Sequence, residues 1–167
     1  MIKVERCLVM LTPLEVQIAK FVGGQRQEQA AGRANQRDLD PAKARIAHEL
    51  GAAGQMVVYK HFGRYWEPPI NTFQRVDGNG LKVTTRGSEW DRAGWLPIPP
   101  DLPDRARVVM VTFTGGTTPQ GGREFRIAGW ITAQDGKAVG PPLALAGRRP
   151  THCVPQDRLL PIDALLL

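Results

Sequence analysis

Between Asp77 and Arg86 the chain reads Asp-Gly-Asn-Gly-Leu-Lys-Val-Thr-Thr-Arg, one acid at a glycine-rich turn followed by a strand of alternating character. Successive side chains of a pleated strand point to opposite faces, so Leu81, Val83 and Thr85 share one face and Lys82, Thr84 and Arg86 the other. An acid beside a cationic strand face suits phosphate chemistry. A carboxylate holds a hard divalent cation through oxygen, and a neighbouring Lys or Arg offsets the negative charge that builds on a phosphoryl group. The same residues also fit a solvated edge strand after a turn, and the rest of the chain has to decide between the two.

Glu49, Ala53, Met56 and Lys60 fall on one helical stripe, which turns an acid and an ammonium toward the same groove. Arg45, four residues before Glu49, offers that acid a surface ion pair instead. Among Trp66, Trp90, Trp95 and Trp130, only Trp90 sits in a polar run, Ser88-Glu89-Trp90-Asp91-Arg92, where an indole can stack on a base or pack in a core. His152 and Cys153 are adjacent, and neighbours along a strand face opposite ways, which works against a thiol-imidazole pair. No nucleophile elbow, Walker A loop, dinucleotide glycine fingerprint or His-Glu-x-x-His helix occurs. Ligand spacings for zinc are missing as well, so the metal to expect is Mg²⁺ or Mn²⁺ held by oxygen.

These residues need elements to position them. Thr12-Pro13-Leu14-Glu15 is a capping box with Pro at the first helical position, and Leu14, Ile18, Phe21 and Val22 follow at helical spacing as the expected buried face. From Gly23 to Asp40 the chain is polar and reads as a helical extension followed by a loop. Asp40-Pro41 opens a second helix with Ile46, Leu50, Ala53 and Val57 on one stripe and Gly63 as its stop. Gly51 and Gly54 weaken that helix unless they permit close packing. Thr72 to Val76 and Leu81 to Arg86 read as short strands, and the prolines of Trp95 to Pro100 keep that segment out of a sheet centre. The apolar run Val108 to Val111 is the mark of a strand covered on both faces. Phe125 to Thr132 alternates and pairs with it across a glycine-rich link, Thr114 to Arg123. The expected architecture is α+β, one domain over residues 1 to 167 with a mixed central sheet of about four to five strands, N-terminal helices and a Pro/Leu-rich tail. That tail, Leu159 to Leu167, either closes its own core or docks on another subunit.

Lys and Arg outnumber Asp and Glu by 22 to 16, a net charge of +6 that leans toward a polyanionic partner such as nucleic acid. The two cysteines, Cys7 and Cys153, lie far apart, which favours a reducing compartment over a disulfide framework. Charges in Met1 to Arg6 and the lack of a long apolar run give no signal peptide or membrane span, so the expectation is a cytoplasmic protein with no membrane partner.

The order of pieces resembles the PD-(D/E)XK nuclease core, and within it a group of small phage-encoded proteins. The resemblance rests on Gly63-Arg64-Tyr65-Trp66 closing the helix, Thr72-Phe73 before Asp77, Val83-Thr84-Thr85-Arg86, Val109-Met110-Val111-Thr112, Phe125 to Ile131 and Val154-Pro155-Gln156. It implies a restriction-endonuclease-like core and Mg²⁺-dependent cleavage of DNA phosphodiesters. Asp77 and Glu49 would then hold the metal, with Asp77, Lys82 and Glu49 as the catalytic set. Lys82, Thr84, Arg86, Lys60 and Trp90 would contact nucleic acid, DNA before RNA. The chain departs from the family at two places: Gln55 stands where relatives carry a helix Glu, and Lys82 where a second carboxylate belongs. Those departures also fit an inactive nuclease-like protein that binds DNA or inhibits a host defence protein.

Overall fold

The computed structural model describes residues 7–31, 40–68, 76–144 and 149–167. In these the chain runs β1 (Cys7–Leu11), α1 (Pro13–Ala30), α2 (Pro41–His61), β2 (Leu81–Arg86), β3 (Trp95–Ile98), β4 (Arg107–Thr117), β5 (Arg123–Thr132), α3 (Ala133–Val139), β6 (Pro142–Leu143) and β7 (Thr151–Pro155). The fold is α+β. A mixed sheet in the order β1-β5-β4-β2 carries the two N-terminal helices, and a second sheet, β3-β7-β6, covers its other side. β2 runs parallel to β4, and β4 and β5 form an antiparallel hairpin closed at Thr118–Gly122. That turn is shorter than the link expected from the sequence, because the strands extend into it. The Thr72 to Val76 strand expectation lies outside the described residues except for Val76.

Both helix starts follow their capping chemistry. Glu15 N–H donates to the Thr12 hydroxyl and Thr12 N–H to the Glu15 carboxylate, while Asp40 Oδ1 accepts from Ala42 N–H. α2 stops at Gly63, whose φ of +62° suits glycine. The buried face of α1 differs from the expected one. Leu14 and Phe21 are 67% and 65% exposed, and the core side consists of Val16, Ala19, Val22 and Gly23. The cause is a close helix crossing: a Cβ on Gly23 would lie 2.4 Å from Glu49 Cα, so the contacting face must be small. On α2 the outcome is similar, with Ile46 exposed and Ala52, Ala53, Met56, Val57 and Val58 buried.

β4 is covered on both faces, as its apolar run requires. Val109 and Val111 meet the helices together with Val9, Leu11, Leu81, Phe125 and Ile127. Val108 and Met110 meet the second sheet through Leu96, Ile98 and Val154. β3 takes an edge position there, where Pro97 is tolerated. The tail closes its own core: Leu159, Ile162 and Leu165 are buried, and Leu160 exchanges backbone hydrogen bonds with Trp130 at 2.8 and 3.0 Å.

Candidate nucleic-acid interface

Asp77 opens β2 by satisfying the turn in front of it. Its Oδ1 accepts from Asn79 N–H and Leu81 N–H, both at 2.9 Å, and Oδ2 accepts the Tyr59 hydroxyl at 2.5 Å. Asp77 N–H donates to the Leu81 carbonyl at 2.8 Å, and Gly80 adopts φ +71° to let the chain reverse. Asn79 Nδ2 donates back to the Tyr59 oxygen at 3.1 Å. Tyr59 projects from α2, so one carboxylate joins helix, turn and strand. Burial, followed by the bond to Asp77, pushes the Tyr59 phenol above its usual pKa.

Alternation along β2 separates its two faces as expected. Leu81 and Val83 pack toward the helices, and Thr85 meets α2 where Gly54 lets the backbone approach: a Cβ there would lie 1.8 Å from Thr85 Oγ1. Lys82, Thr84 and Arg86 sit opposite Val108, Met110 and Thr112 of β4 and share the other face. That face is half-buried rather than fully solvated. Arg86 lies 4.7 Å from the Trp90 ring centre, Trp90 packs edge-on against Trp95 at 5.1 Å, and the Trp90 carbonyl accepts from Gln156 Nε2 at 3.2 Å. Trp90 is therefore a packing residue that also covers the guanidinium. Among the described residues β2 is a sheet edge.

The remaining expected residues do not converge on Asp77. Glu49 pairs with Arg45 at 3.1 Å and lies ten residues before Tyr59, about 15 Å along α2 at about 1.5 Å per residue. Lys60 donates to Glu15 at 2.7 Å and to the Met10 carbonyl at 2.9 Å, beside β1 at the opposite edge of the sheet from β2. Gln55 accepts from Arg26 Nη2 at 2.7 Å. Three donors already engage the Asp77 oxygens, Glu49 is remote and Gln55 is neutral, so the expected metal ligands Asp77 and Glu49 are not brought together. No group of three or more His, Cys, Asp or Glu side chains placed to hold a metal occurs among the described residues. His152 and Cys153 do not pair either: His152 Nδ1 faces the Gly140 carbonyl at 3.0 Å and Cys153 donates to Thr151.

Other residues build this corner without a sequence signal. Arg107 N–H donates to the Gly80 carbonyl at 3.0 Å, and its guanidinium donates to the Asn79 carbonyl at 2.5 Å and to the Leu166 carbonyl. Arg64 donates to the Leu167 oxygen at 2.7 Å and stands near enough to Tyr59 to act on its phenol. On the cationic face, Asp91 accepts from Arg126 Nε at 3.0 Å and from the Thr112 hydroxyl at 2.7 Å. The polar run around Trp90 was the only hint of Asp91. No family model, no curated protein and no solved structure matches the chain.

Proposed function

We propose that this protein binds nucleic acid, DNA before RNA, along β2 and the turn that opens it, on a nuclease-like scaffold of the phage type that does not cut. The observation that carries the reading is the engagement of both Asp77 oxygens, by Tyr59 and by turn N–H groups, while Glu49 pairs with Arg45 ten residues before Tyr59 on α2. Binding is supported by the net charge of +6 and by Lys82, Thr84 and Arg86 on one face of an edge strand, with Arg64 and Arg107 at its start. The proposed setting is the cytoplasm, that of an infected host for a phage-encoded chain.

The test is a salt series. Fluorescence anisotropy with duplex DNA is expected to give an affinity that falls by about 0.9 log unit per decade of salt for each phosphate neutralised, and Lys82→Ala is expected to lower that slope by about one. Supercoiled DNA incubated with Mg²⁺ or Mn²⁺ should stay intact. Nicking by the wild type that Asp77→Ala abolishes would restore the endonuclease reading. A flat salt response would favour a protein partner, such as a host defence protein, and one observation supports that second reading: Leu14, Ile18 and Phe21 form an exposed apolar stripe on α1 at i, i+4 and i+7.

A further inference from the structure

Cys7, His61 and Asp163 come from the first strand, the end of α2 and the 3-10 turn Ile162–Ala164, yet they form one line. Cys7 Sγ lies 3.2 Å from His61 Nδ1, and His61 Nε2 lies 3.0 Å from Asp163 Oδ1. We propose that this line is a nucleophilic thiol site acting on activated carbonyl compounds, esters or thioesters, with Cys7 as nucleophile, His61 as its base and Asp163 as the residue that positions the ring.

Three features support the roles. Asp163 at Nε2 fixes the tautomer that carries its proton there, which leaves the Nδ1 lone pair facing the thiol. The ring is further held edge-on against Phe62 at 5.0 Å, and the turn bearing Asp163 is anchored by buried Ile162. Because the thiol and the carboxylate occupy opposite nitrogens of the imidazole, the three groups cannot share one metal ion, and the arrangement serves proton transfer. Access comes from position: β1 is a sheet edge among the described residues, and both Cys7 and the His61 ring are partly exposed, the latter at 19%. Met10 turns its carbonyl away from β5 to accept from Lys60. Residues two apart in an antiparallel ladder point alike, so Leu8 N–H also faces that outer edge, one residue after the nucleophile, as a donor for the developing oxyanion.

The step balances on these groups. The thiol proton passes to Nδ1 as Sγ bonds to the carbonyl carbon and the carbonyl pair moves onto oxygen. When that pair returns, the bond to the leaving oxygen or sulfur breaks, the leaving atom takes the proton from Nδ1, and an acyl group remains on Cys7. Water then attacks the thioester, gives its proton to Nδ1, and releases the acid while the sulfur regains a proton. Burial, then the Asp163 charge, holds the thiol proton more firmly than usual, so the resting thiol is neutral and needs its base in step with attack.

The experiment uses the intact protein and p-nitrophenyl acetate, read as nitrophenolate release and as acetyl mass on the Cys7 peptide. Acetylation is expected on Cys7 in the wild type and in Cys153→Ser, none there in Cys7→Ser, at least tenfold slower acylation in His61→Gln, and a several-fold loss in Asp163→Asn. Iodoacetamide provides a second readout: because Cys7 holds its proton more firmly than usual, its alkylation at neutral pH depends on the imidazole and is expected to fall several-fold in His61→Gln. Acetylation confined to lysines, or equal acylation and alkylation rates in wild type and His61→Gln, would each overturn the proposal. None of these outcomes bears on nucleic-acid binding, which is read in the salt series.

Discussion

The Tyr59 hydroxyl donates to Asp77 Oδ2 across 2.5 Å, and that bond ties the C-terminal part of α2 to the turn from which β2 starts. Its role is architectural, which makes its loss visible in stability. Asp77→Ala strands two turn N–H groups and the phenol and is expected to cost about 1–3 kcal/mol, whereas Tyr59→Phe removes the bond to Asp77 and the exposed one from Asn79 and costs about 1 kcal/mol. Urea unfolding near neutral pH checks both. An Asp77→Ala chain as stable as the wild type would contradict the geometry.

The same pair sets an alkaline limit. The folded phenol has a raised pKa, so the folded state keeps its proton where the unfolded chain has lost it. The associated stability is complete below the unfolded tyrosine value, about 10, and is lost as pH rises from there through the folded pKa. Unfolding midpoints measured from pH 8 to 11 should therefore fall more steeply for the wild type than for Tyr59→Phe.

Gly51 and Gly54 are one turn apart on α2 and should respond in opposite directions to the same substitution. Gly51 opens on space, so Gly51→Ala gains helix propensity, about 1 kcal/mol. At Gly54 the new methyl would overlap the Thr85 side chain, with even Thr85 Cβ at 2.9 Å, and overpacking should leave Gly54→Ala about 1–2 kcal/mol less stable. Thermal melts of the two variants decide it. A stabilised Gly54→Ala would mean that α2 and β2 are not in register as described.

Asp91 and Arg126 form a largely buried ion pair, their side chains 13% and 11% exposed. Removing either partner leaves a charge with little water, and Asp91→Ala also deprives the fully buried Thr112 hydroxyl of its acceptor. Each single loss is expected to cost about 3 kcal/mol, while Asp91→Leu combined with Arg126→Met should recover much of it. A double-mutant cycle on urea midpoints measures the coupling, and a coupling near zero would show that water reaches the pair.

The local devices were legible because their causes are local. The Thr12-Glu15 box, the Asp40-Pro41 start, the Gly63 stop and the alternation of Leu81 to Arg86 depend on neighbours within a few residues. The α1 face was misread because its larger residues, Leu14, Ile18 and Phe21, make the more apolar stripe, while the Gly23 crossing admits only the small one. The candidate site was partly legible. Asp77 falls at the strand opening as read, but its partner Tyr59 and the Arg107 that holds the same turn through Asn79 and Gly80 lie 18 and 30 positions away, and their convergence follows from how α2 and β4 cross the sheet. Glu49 pairs with Arg45 as their four-residue spacing allows, whereas spacing gives no sign of Trp90 folding over Arg86. Cys7 and Asp163 are farther apart still, and only the assembled sheet brings both to His61.

The pairing of β1 with β5 has a temporal side. Leu11 lies beside Arg123 and Cys7 beside Ile127, so the first strand emerges during synthesis long before the one it joins. At about 5–20 residues per second, several seconds or more pass with β1 idle, and closure of the ladder must come late. Contacts so distant along the chain slow folding, placing it in the millisecond-to-second regime rather than the microsecond one. A nascent chain thus carries its Cys7 sulfur without the imidazole beside it, and that imidazole gains Asp163 only when the last turn is docked.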